Sequence, residues 1–212
     1  MNKKIYIIGA GSYGEAMFEL VSHCGFDVVG FYDDDLNKQS QFIMGVKVVG
    51  TIKDIFSQEI TGKNYAIAIG NNKLRTKIMS NIRERGGITP SLIHNSAEIS
   101  KYAEIDCGVY IQPRAVIWTK VKIEDSCIIS PLVLIAHHTV IHQGCLISSG
   151  SSIGANIEIG KNVLIGIGST VMTGVEKIGD NSIIGAGSVV IRDVLPNTIV
   201  AGVPAKFIKY NK

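Results

Sequence analysis

Aliphatic residues recur every six positions through the second half of this chain, and no other feature constrains its fold as strongly. From position 99 to position 171 the spacing never breaks; it then slips once, by a single residue, and resumes at position 178. A hexapeptide period of this length is typical of a parallel β-helix. The residues that carry it are Ile99, Ile105, Ile111, Ile117, Ile123, Ile129, Ile135, Ile141, Ile147, Ile153, Ile159, Ile165, Val171, Ile178, Ile184 and Val190.

A second periodic position supports this interpretation. Three hexads form one triangular coil of about 18 residues, and each coil hydrogen-bonds to the next at about 4.8 Å. We expect two residues of each hexad to point into the prism, with Cys127 and Cys145 stacked inside as small core residues and not as a disulfide. The second inward position is small or β-branched: Ala103, Val109, Ala115, Val121, Cys127, Val133, Thr139, Cys145 and Ser151.

Residues 1–95 follow a different pattern, in which strands and helices alternate. Buried-type strands are predicted at "KIYIIGA", "DVVGFYDDD" and "YAIAIGNN", and helices at "SYGEAMFELVSHCG" and "KLRTKIMSNIRERGG". Ser12 is the expected N-cap of the first helix, and Gly25 its stop. The fold class predicted is a small Rossmann-like α/β domain with three or four parallel strands over 1–95, followed by an all-β parallel β-helix over 96–197 and a capping tail over 198–212.

Composition argues against several classes of function. The formal net charge is +3, and lysine and arginine are spread along the chain, so we expect no nucleic-acid partner. No apolar stretch approaches the ~20 residues that span a bilayer. The four cysteines form no CxxC pair and no zinc-finger spacing. We therefore expect a cytoplasmic protein with reduced thiols and no membrane span.

The glycine motif "GAGSYG" at positions 9–14 follows a strand and precedes a helix, with Asp33 and Asp34 about 20 residues further on. Alone, it fits NAD, the diphosphate of a nucleotide sugar, or a purely structural turn. A dinucleotide fold made of two βαβαβ halves needs about 150 residues, more than precede the hexads. We therefore expect a nucleotide sugar and no NAD.

The stretch "IAHHTVIH" holds three of the five histidines, His137, His138 and His142. His137 is the third residue of its hexad, which places it near a corner of the coil and facing outward. His142 stacks one coil above Glu124, where a solvated pair explains it. For His138, a solvent-facing turn residue, a contact to a facing subunit and a contact to a coenzyme are not distinguished by the sequence.

The hexad array followed by "AGVPAK" resembles the left-handed β-helix acyltransferases of the hexapeptide family. "GAGSYG", "FYDDD", "IAIGNN" with Lys73 and Arg75 behind it, and "LIHNSA" are similar to the bacterial nucleotide-sugar N-acetyltransferases of the PglD type and to the related NeuD type. The resemblance implies a homotrimer with its active site between neighbouring subunits, and acetyl-CoA as donor. The implied acceptor is the amine of a nucleotide-linked sugar, a UDP- or dTDP-linked 4-amino-4,6-dideoxy sugar used in surface-glycan biosynthesis. O-acetylation of sialic acid or another sugar is the alternative.

The resemblance also assigns residues. The catalytic base falls on His137, and the acidic residue that usually follows it is His138 here. A second family histidine falls on Leu146, and donor-binding positions fall on Ile167 and Gly185. Directly above His137 in the next coil is Ala155, whose backbone N–H is our candidate donor to the oxyanion. The implied sugar-nucleotide positions are Gly11, Ser12, Tyr13, Asp33, Asp34, Gly70 and Lys73.

A metal site is the competing interpretation of the histidines. The γ-class carbonic anhydrases share the β-helix and bind zinc through histidines of two subunits, two of them five residues apart, like His137 and His142. The third ligand position falls on Lys101, a cation that cannot replace histidine. We therefore expect no metal cofactor.

Overall fold

A computed structural model of the protein describes residues 3–211, which divide between Leu92 and Ile93 into two compact units. The first is a small Rossmann-like α/β domain and the second a left-handed parallel β-helix, so the predicted fold class is confirmed. The functions assigned to these two parts of the chain stay predictions at this point. Within residues 3–211, no helix is both long and apolar enough to cross a membrane.

The first unit is built on one five-stranded sheet with the order β3-β4-β2-β1-β5. Four of its strands, β4, β2, β1 and β5, are parallel, as predicted. The short β3 was not predicted and pairs antiparallel with β4, because Met44 and Gly45, both at positive φ, turn the chain back on itself. The strands are β1 Lys3–Ile8, β2 Phe26–Tyr32, β3 Phe42–Ile43, β4 Val46–Gly50 and β5 Asn64–Ile67.

Helices connect these strands. They are α1 Ser12–His23, α2 Ile52–Ile55 and α3 Asn72–Glu84, with a 3₁₀ turn at Leu36–Lys38. The expectation that Ser12 caps α1 was wrong: Gly11 is the N-cap, in extended conformation, and no side chain caps the helix. The glycine turn makes this possible, because it delivers the chain to Ser12 already in helical geometry. The N-cap glycine of α1 thus contributes no side-chain hydrogen bond to the first turn.

The second unit is a triangular prism whose three sheets we call sides 1, 2 and 3 in chain order. Side 1 consists of β6 Leu92–Ile93, β9 Tyr110–Ile111, β12 Ile128–Ile129, β15 Leu146–Ile147, β18 Leu164–Ile165, β21 Ile183–Ile184, β23 Thr198–Gly202 and β24 Ala205–Tyr210. Side 2 consists of β7 Glu98–Ile99, β10 Val116–Ile117, β13 Leu134–Ile135, β16 Ser152–Ile153, β19 Thr170–Val171 and β22 Val189–Val190. Side 3 consists of β8 Glu104–Ile105, β11 Lys122–Ile123, β14 Val140–Ile141, β17 Glu158–Ile159 and β20 Lys177–Ile178.

The register of these sheets follows the hexad period. Equivalent strands of successive coils pair in parallel, for example Val116 with Leu134. Beyond the single-residue slip, the partner lies one position further on, as in the pairing of Glu158 with Lys177. Nearly all the periodic aliphatic and small residues form one buried core, and Ile99 and Ala103 in the first coil are partly buried against it. The predicted inward positions are therefore confirmed.

Polar atoms inside the prism tie each coil to the next. Cys127 Sγ donates to the carbonyl oxygen of His142 at 3.2 Å, and Cys145 Sγ to that of Gly160 at 3.0 Å. Thr139, Ser151 and Ser169 use their hydroxyls in the same way. None of the four cysteines forms a disulfide. Small hydrogen-bonding side chains thus fill the narrow interior without leaving their polar atoms unpaired.

The tail forms a hairpin on side 1. β23 pairs parallel with β21, and β24 pairs antiparallel with β23. Ala205 packs against the core, whereas Phe207, Ile208 and Tyr210 are each more than half exposed. The capping role of this segment stays a prediction.

Candidate active site

In the first unit, the sheet changes its direction of growth at β1, and we call the surface at the carboxyl ends of the strands there the crevice. β1 sits between β2 and β5, and open α/β sheets bind ligands at the carboxyl ends of strands at such a switch point. Four of the seven residues predicted to bind the nucleotide sugar lie in the three loops after these strands: Gly11, Asp33, Asp34 and Gly70. The other three, Ser12, Tyr13 and Lys73, lie in the first turns of the helices that follow.

The glycine turn after β1 is shaped by close packing. Gly9 has φ of 104°, and a Cβ added there would lie 2.6 Å from the carbonyl oxygen of Ala68. A Cβ on Gly14 would overlap the carbonyl oxygen of Gly9, so α1 begins against the turn itself. Gly11, in contrast, faces open space apart from the ammonium of Lys38. The N-terminus of α1 and this open backbone form a surface suited to a phosphate group.

Asp33 organises the turn. One carboxylate oxygen accepts from the amide of Ala10 at 2.7 Å and from Lys38 Nζ at 3.1 Å, and the other accepts from the amide of Asp35 at 2.9 Å. Burial alone would raise the pKa of Asp33, but these hydrogen bonds outweigh it and hold the pKa below its usual value. Asp33 therefore remains charged and fixes both the glycine turn and Lys38, a residue that the sequence analysis did not select.

The loop after β5 is held by a buried arginine. Arg75 is 0% exposed; its guanidinium donates to the carbonyl oxygen of Ile69 at 3.1 Å and to Asn72 Oδ1 at 2.9 Å. These contacts set the path of the chain through Gly70, which is exposed, as is the side chain of Lys73. Arg75 thus holds this loop in position, while Lys73 remains able to reach a ligand.

In the second unit, His137 and His138 lie in the corner that joins side 2 to side 3. His137 is partly buried, and His138 is exposed with φ of 61°, the left-handed conformation that Lys120 and Asn156 share in adjacent coils. The two Nδ1 atoms are 3.0 Å apart, and the rings meet edge to face with centroids at 5.2 Å. The two side chains therefore form a hydrogen-bonded pair.

The geometry of this pair restricts its tautomers. One Nδ1 must carry the shared hydrogen and the other must accept it. If His137 Nδ1 donates, His137 Nε2 holds a lone pair and points away from the pair, as a general base requires. His138 then occupies the orienting position that a carboxylate fills in related catalytic pairs.

A third aromatic ring completes the corner. The indole of Trp118 stacks on the imidazole of His137 with an interplanar angle of 22° and a centroid distance of 6.4 Å. Trp118 is 50% exposed and follows β10, one coil before His137. The sequence analysis missed it, although the hexad period places position 118 one coil below position 136, directly beside His137.

The predicted oxyanion donor has a partner in this structure. The amide of Ala155 donates to Thr173 Oγ1 at 3.2 Å. Thr173 stands one coil above, at a position that the 18-residue spacing also identifies. The Ala155 amide can serve an oxyanion only when the Thr173 hydroxyl moves away.

The other predicted donor residues do not gather around His137 within one chain. Ile167, which is 59% exposed, and Gly185 lie in the corner between sides 1 and 2. Leu146 lies on the outer face of side 1. Side 2 separates these positions from the corner of His137, so a single chain presents two halves of the predicted transfer site.

His142 lies at the far end of side 3 from His137. Its Nδ1 is 2.9 Å from Glu124 Oε1, the predicted pair, and its Nε2 is 3.3 Å from Glu158 Oε1. Lys177 lies 2.9 Å from Glu158 and holds the pKa of that carboxyl below its usual range. Among residues 3–211, no group of three or more His, Cys, Asp or Glu side chains could hold a metal ion.

Comparison with known proteins gives consistent results for both units. The family model for the PglD N-terminal domain matches residues 4–82, and that for the bacterial transferase hexapeptide, six repeats, matches residues 156–192. A curated relative, the uncharacterised protein L142 of Acanthamoeba polyphaga mimivirus, is 28% identical over 107 residues. That match covers 50% of this chain, and the chain spans only 21% of the relative.

Solved structures match over nearly the full length. The acetyltransferase domain of PglB from Neisseria gonorrhoeae, in complex with acetyl-coenzyme A, is 30% identical with a TM-score of 0.90, over 98% of this chain and 100% of that one. A His-to-Asn variant of perosamine N-acetyltransferase from Caulobacter crescentus, in complex with CoA and GDP-perosamine, is 29% identical with a TM-score of 0.89, over 97% and 96%. The chain therefore belongs to the PglD-type family of hexapeptide-repeat nucleotide-sugar N-acetyltransferases, which take their acetyl group from acetyl-CoA.

Proposed function

We propose that the protein transfers the acetyl group of acetyl-CoA to the amine of a nucleotide-linked amino sugar, with His137 as general base. The acceptor we propose is a UDP- or dTDP-linked 4-amino-4,6-dideoxy sugar, consumed in surface-glycan assembly in the cytoplasm. The observation that carries the proposal is the corner pair, in which His137 is held by His138 at 3.0 Å and by the stacked indole of Trp118. That the Caulobacter relative binds GDP-perosamine with CoA supports the substrate class.

The pair accounts for the proton transfer. The sugar amine, in its neutral form, attacks the thioester carbonyl carbon, and His137 Nε2 takes the proton that its nitrogen must lose. The tetrahedral intermediate collapses, the carbon–sulfur bond breaks, and the same proton passes to the departing thiolate of CoA. No covalent acyl-enzyme is needed, since a deprotonated amine is already a good nucleophile.

His138 supports this cycle as a neutral partner. When His137 becomes an imidazolium, its Nδ1–H bond to His138 strengthens, because a charged donor forms a stronger hydrogen bond. A carboxylate in that position would stabilise the cation more, so His138 gives a weaker form of the usual arrangement. The amide of Ala155, released from Thr173, is the donor we assign to the oxyanion.

The first unit binds the nucleotide part of the acceptor in this proposal. The glycine turn and the N-terminus of α1 receive the diphosphate, and Lys38 stands beside Gly11 as a fixed counter-charge. Asp34 and Lys73, both exposed, remain able to contact the ribose, base or phosphates. Binding of the nucleotide sugar, and not of NAD, follows from the small size of this sheet.

A homotrimer would complete the site. Side 2 carries uncharged outward residues along most of its length, at Val116, Leu134, Ser152, Thr170 and Val189. Packing side 2 of one subunit near its neighbour would bring the corner of Ile167 and Gly185 toward the neighbour's His137. The separation of the donor residues from His137 within one chain supports this assembly.

The test is a panel of UDP-, dTDP- and GDP-linked amino sugars, each offered with acetyl-CoA. Release of free thiol, together with one acetyl group gained by the sugar, is expected for at least one 4-amino sugar. The corresponding sugar with a hydroxyl in place of the amine is the matched control. Acetylation of the hydroxyl sugar but not of the amine would replace the proposal with O-acetylation.

A further inference from the structure

The outward residues that stack in line with Trp118 differ in size from one coil to the next, and we call this line of residues the column. Residues that immediately follow the inward aliphatic residue of side 2 stack above one another, since each amide bonds to the coil above. Trp118 and Met172 are both large and about half exposed, whereas Ala136 and Gly154 between them are small. A Cβ on Gly154 would lie 2.5 Å from the backbone nitrogen of Thr173, so the coil above packs closely over this position. We call the stretch of short outward side chains between Trp118 and Met172 the recess; Ala136, within it, immediately precedes His137.

The two ends of this recess are not equivalent. All the positions we assign to the donor lie in later coils than His137: Ala155 is one coil above, and Ile167 and Gly185 are higher still. A threefold axis along the prism would keep these levels in a neighbouring subunit. Acetyl-CoA thus reaches His137 from the Met172 end, which leaves the Trp118 end for the acceptor.

We propose that Trp118 positions the acceptor, with the apolar C–H face of the amino sugar stacked on its indole. The inference rests on the proposed function and deepens it. A half-exposed indole next to a catalytic imidazole offers a rigid apolar surface, and deoxygenated sugars present a matching apolar face. With the sugar in that place, its amine lies beside His137 Nε2, and the thioester enters over Ala136 and Gly154.

Steady-state kinetics of Trp118→Ala and Trp118→Phe test the proposal. We expect Trp118→Ala to raise the KM for the amino sugar roughly tenfold while leaving the KM for acetyl-CoA unchanged, and Trp118→Phe to retain part of the affinity. His142→Ala is the control, because it also removes an aromatic ring but lies in the corner between sides 3 and 1. Equal changes in both KM values, or no change in either, would refute the assignment.

Fluorescence gives a second readout, because Trp118 is the only tryptophan in the chain. In the wild-type protein, the nucleotide sugar added without donor should change the tryptophan emission, whereas the free nucleotide and CoA should not. A response to CoA alone would place the donor at Trp118, and no response to any of the three would leave the indole without a ligand; either result overturns the inference. Absence of acetyl transfer in the wild type would instead contradict the proposed function itself.

Discussion

At the scale of single residues, the unusual feature is a histidine where the family resemblance leads one to expect an acid. His137 and His138 share one hydrogen between their Nδ1 atoms. A neutral imidazole can orient its partner as a carboxylate does, but it adds no negative charge to stabilise the cation formed in the reaction. His138 is therefore the position at which this chain can be compared directly with its relatives.

His137→Ala should lower kcat by roughly 10²–10⁴-fold, because removing the base affects only the transition state. Binding of the nucleotide sugar, measured by calorimetry, should be nearly unchanged. His142→Ala is the matched control and should cost little, since the imidazole of His142 pairs with Glu124 and Glu158 at another corner. A fully active His137→Ala variant would remove the general base from the proposed mechanism.

His138→Ala should lower kcat, because His137 loses the partner that orients it. His138→Glu should retain or raise activity, since a carboxylate favours the imidazolium. Both are read from kcat profiles across pH. If His138→Ala abolishes turnover while His137→Ala remains active, the base is His138.

At the scale of elements, the ends of β1, β2 and β4 are connected by side-chain bonds that bridge separate loops. Asp33 ties the end of β2 to the turn after β1, and Asp34 accepts from the amide of Ile52 at 2.8 Å, which fixes the start of α2. The crevice is thus preorganised by carboxylates that use part of their bonding capacity within the protein.

Asp33→Asn should destabilise the first unit by about 1–2 kcal/mol at neutral pH, since charge-assisted bonds to Lys38 and two amides are weakened. The pKa of Asp33 in the folded protein lies below its ordinary value of 3.8, so its stabilisation is fully present above that pH. It is lost as the pH falls through the folded-state value. The difference in free energy of unfolding between wild type and variant, measured by urea titration followed by circular dichroism, should therefore shrink under acidic conditions.

Asp34→Asn serves as the control for that experiment. An amide oxygen at position 34 can still accept from Ile52, so the variant should change stability little at any pH. A loss in Asp33→Asn that stays constant from neutral to acidic pH would show that the charge of Asp33 is not its source.

The hexad period made the strands of the β-helix predictable, but the contacts between coils and within loops could not be predicted from it. The inward hexad residues could be read one by one, because a β-helix repeats one environment. The predicted N-cap of α1 was wrong, because the glycine turn places Gly11 and not Ser12 at that position. Trp118 and Thr173 were not selected because their importance comes from residues one coil away, and Lys38 because its importance comes from its contact with Asp33 in the same loop.

At the scale of the whole molecule, the faces of the prism differ in charge. Side 3 carries outward ion pairs, Glu104 with Lys122 and Glu158 with Lys177, each at 2.9 Å. Side 2 carries none of these charges along the strands between Val116 and Val189. An uncharged face between two half-sites favours side 2 as the surface at which subunits approach one another.

Mixed trimers test this arrangement. His137→Ala and Ile167→Asp should each be inactive alone, the first without its base and the second with a charge at the donor position. Random mixing should restore activity to about one quarter of the sites, because a site then takes His137 from one subunit and Ile167 from the next. Each variant taken alone through the same dissociation and reassembly should recover nothing.

Two results would contradict the shared site. Mixed trimers isolated through two different affinity tags but without activity would place both half-sites in one chain. Sedimentation of an active species of about 23 kDa, the mass of a single chain, would exclude a required trimer.

Dialysis against a strong chelator should leave turnover unchanged. His137 and His142 lie at opposite ends of side 3, so they cannot share one ion within a chain. The measurement is the rate of thiol release before and after dialysis. Activity that is lost and then restored by zinc would favour the carbonic-anhydrase-like alternative.

The buried thiols inside the prism can be used to detect separation of the coils of the β-helix. Cys127 and Cys145 are 0% exposed, whereas Cys107 is exposed and Cys24 partly so. An alkylating reagent can therefore modify Cys107 and Cys24 in the native protein. It reaches Cys127 and Cys145 only after the coils have separated. The gain in mass from alkylation of Cys127 and Cys145 therefore reports how readily the coils separate.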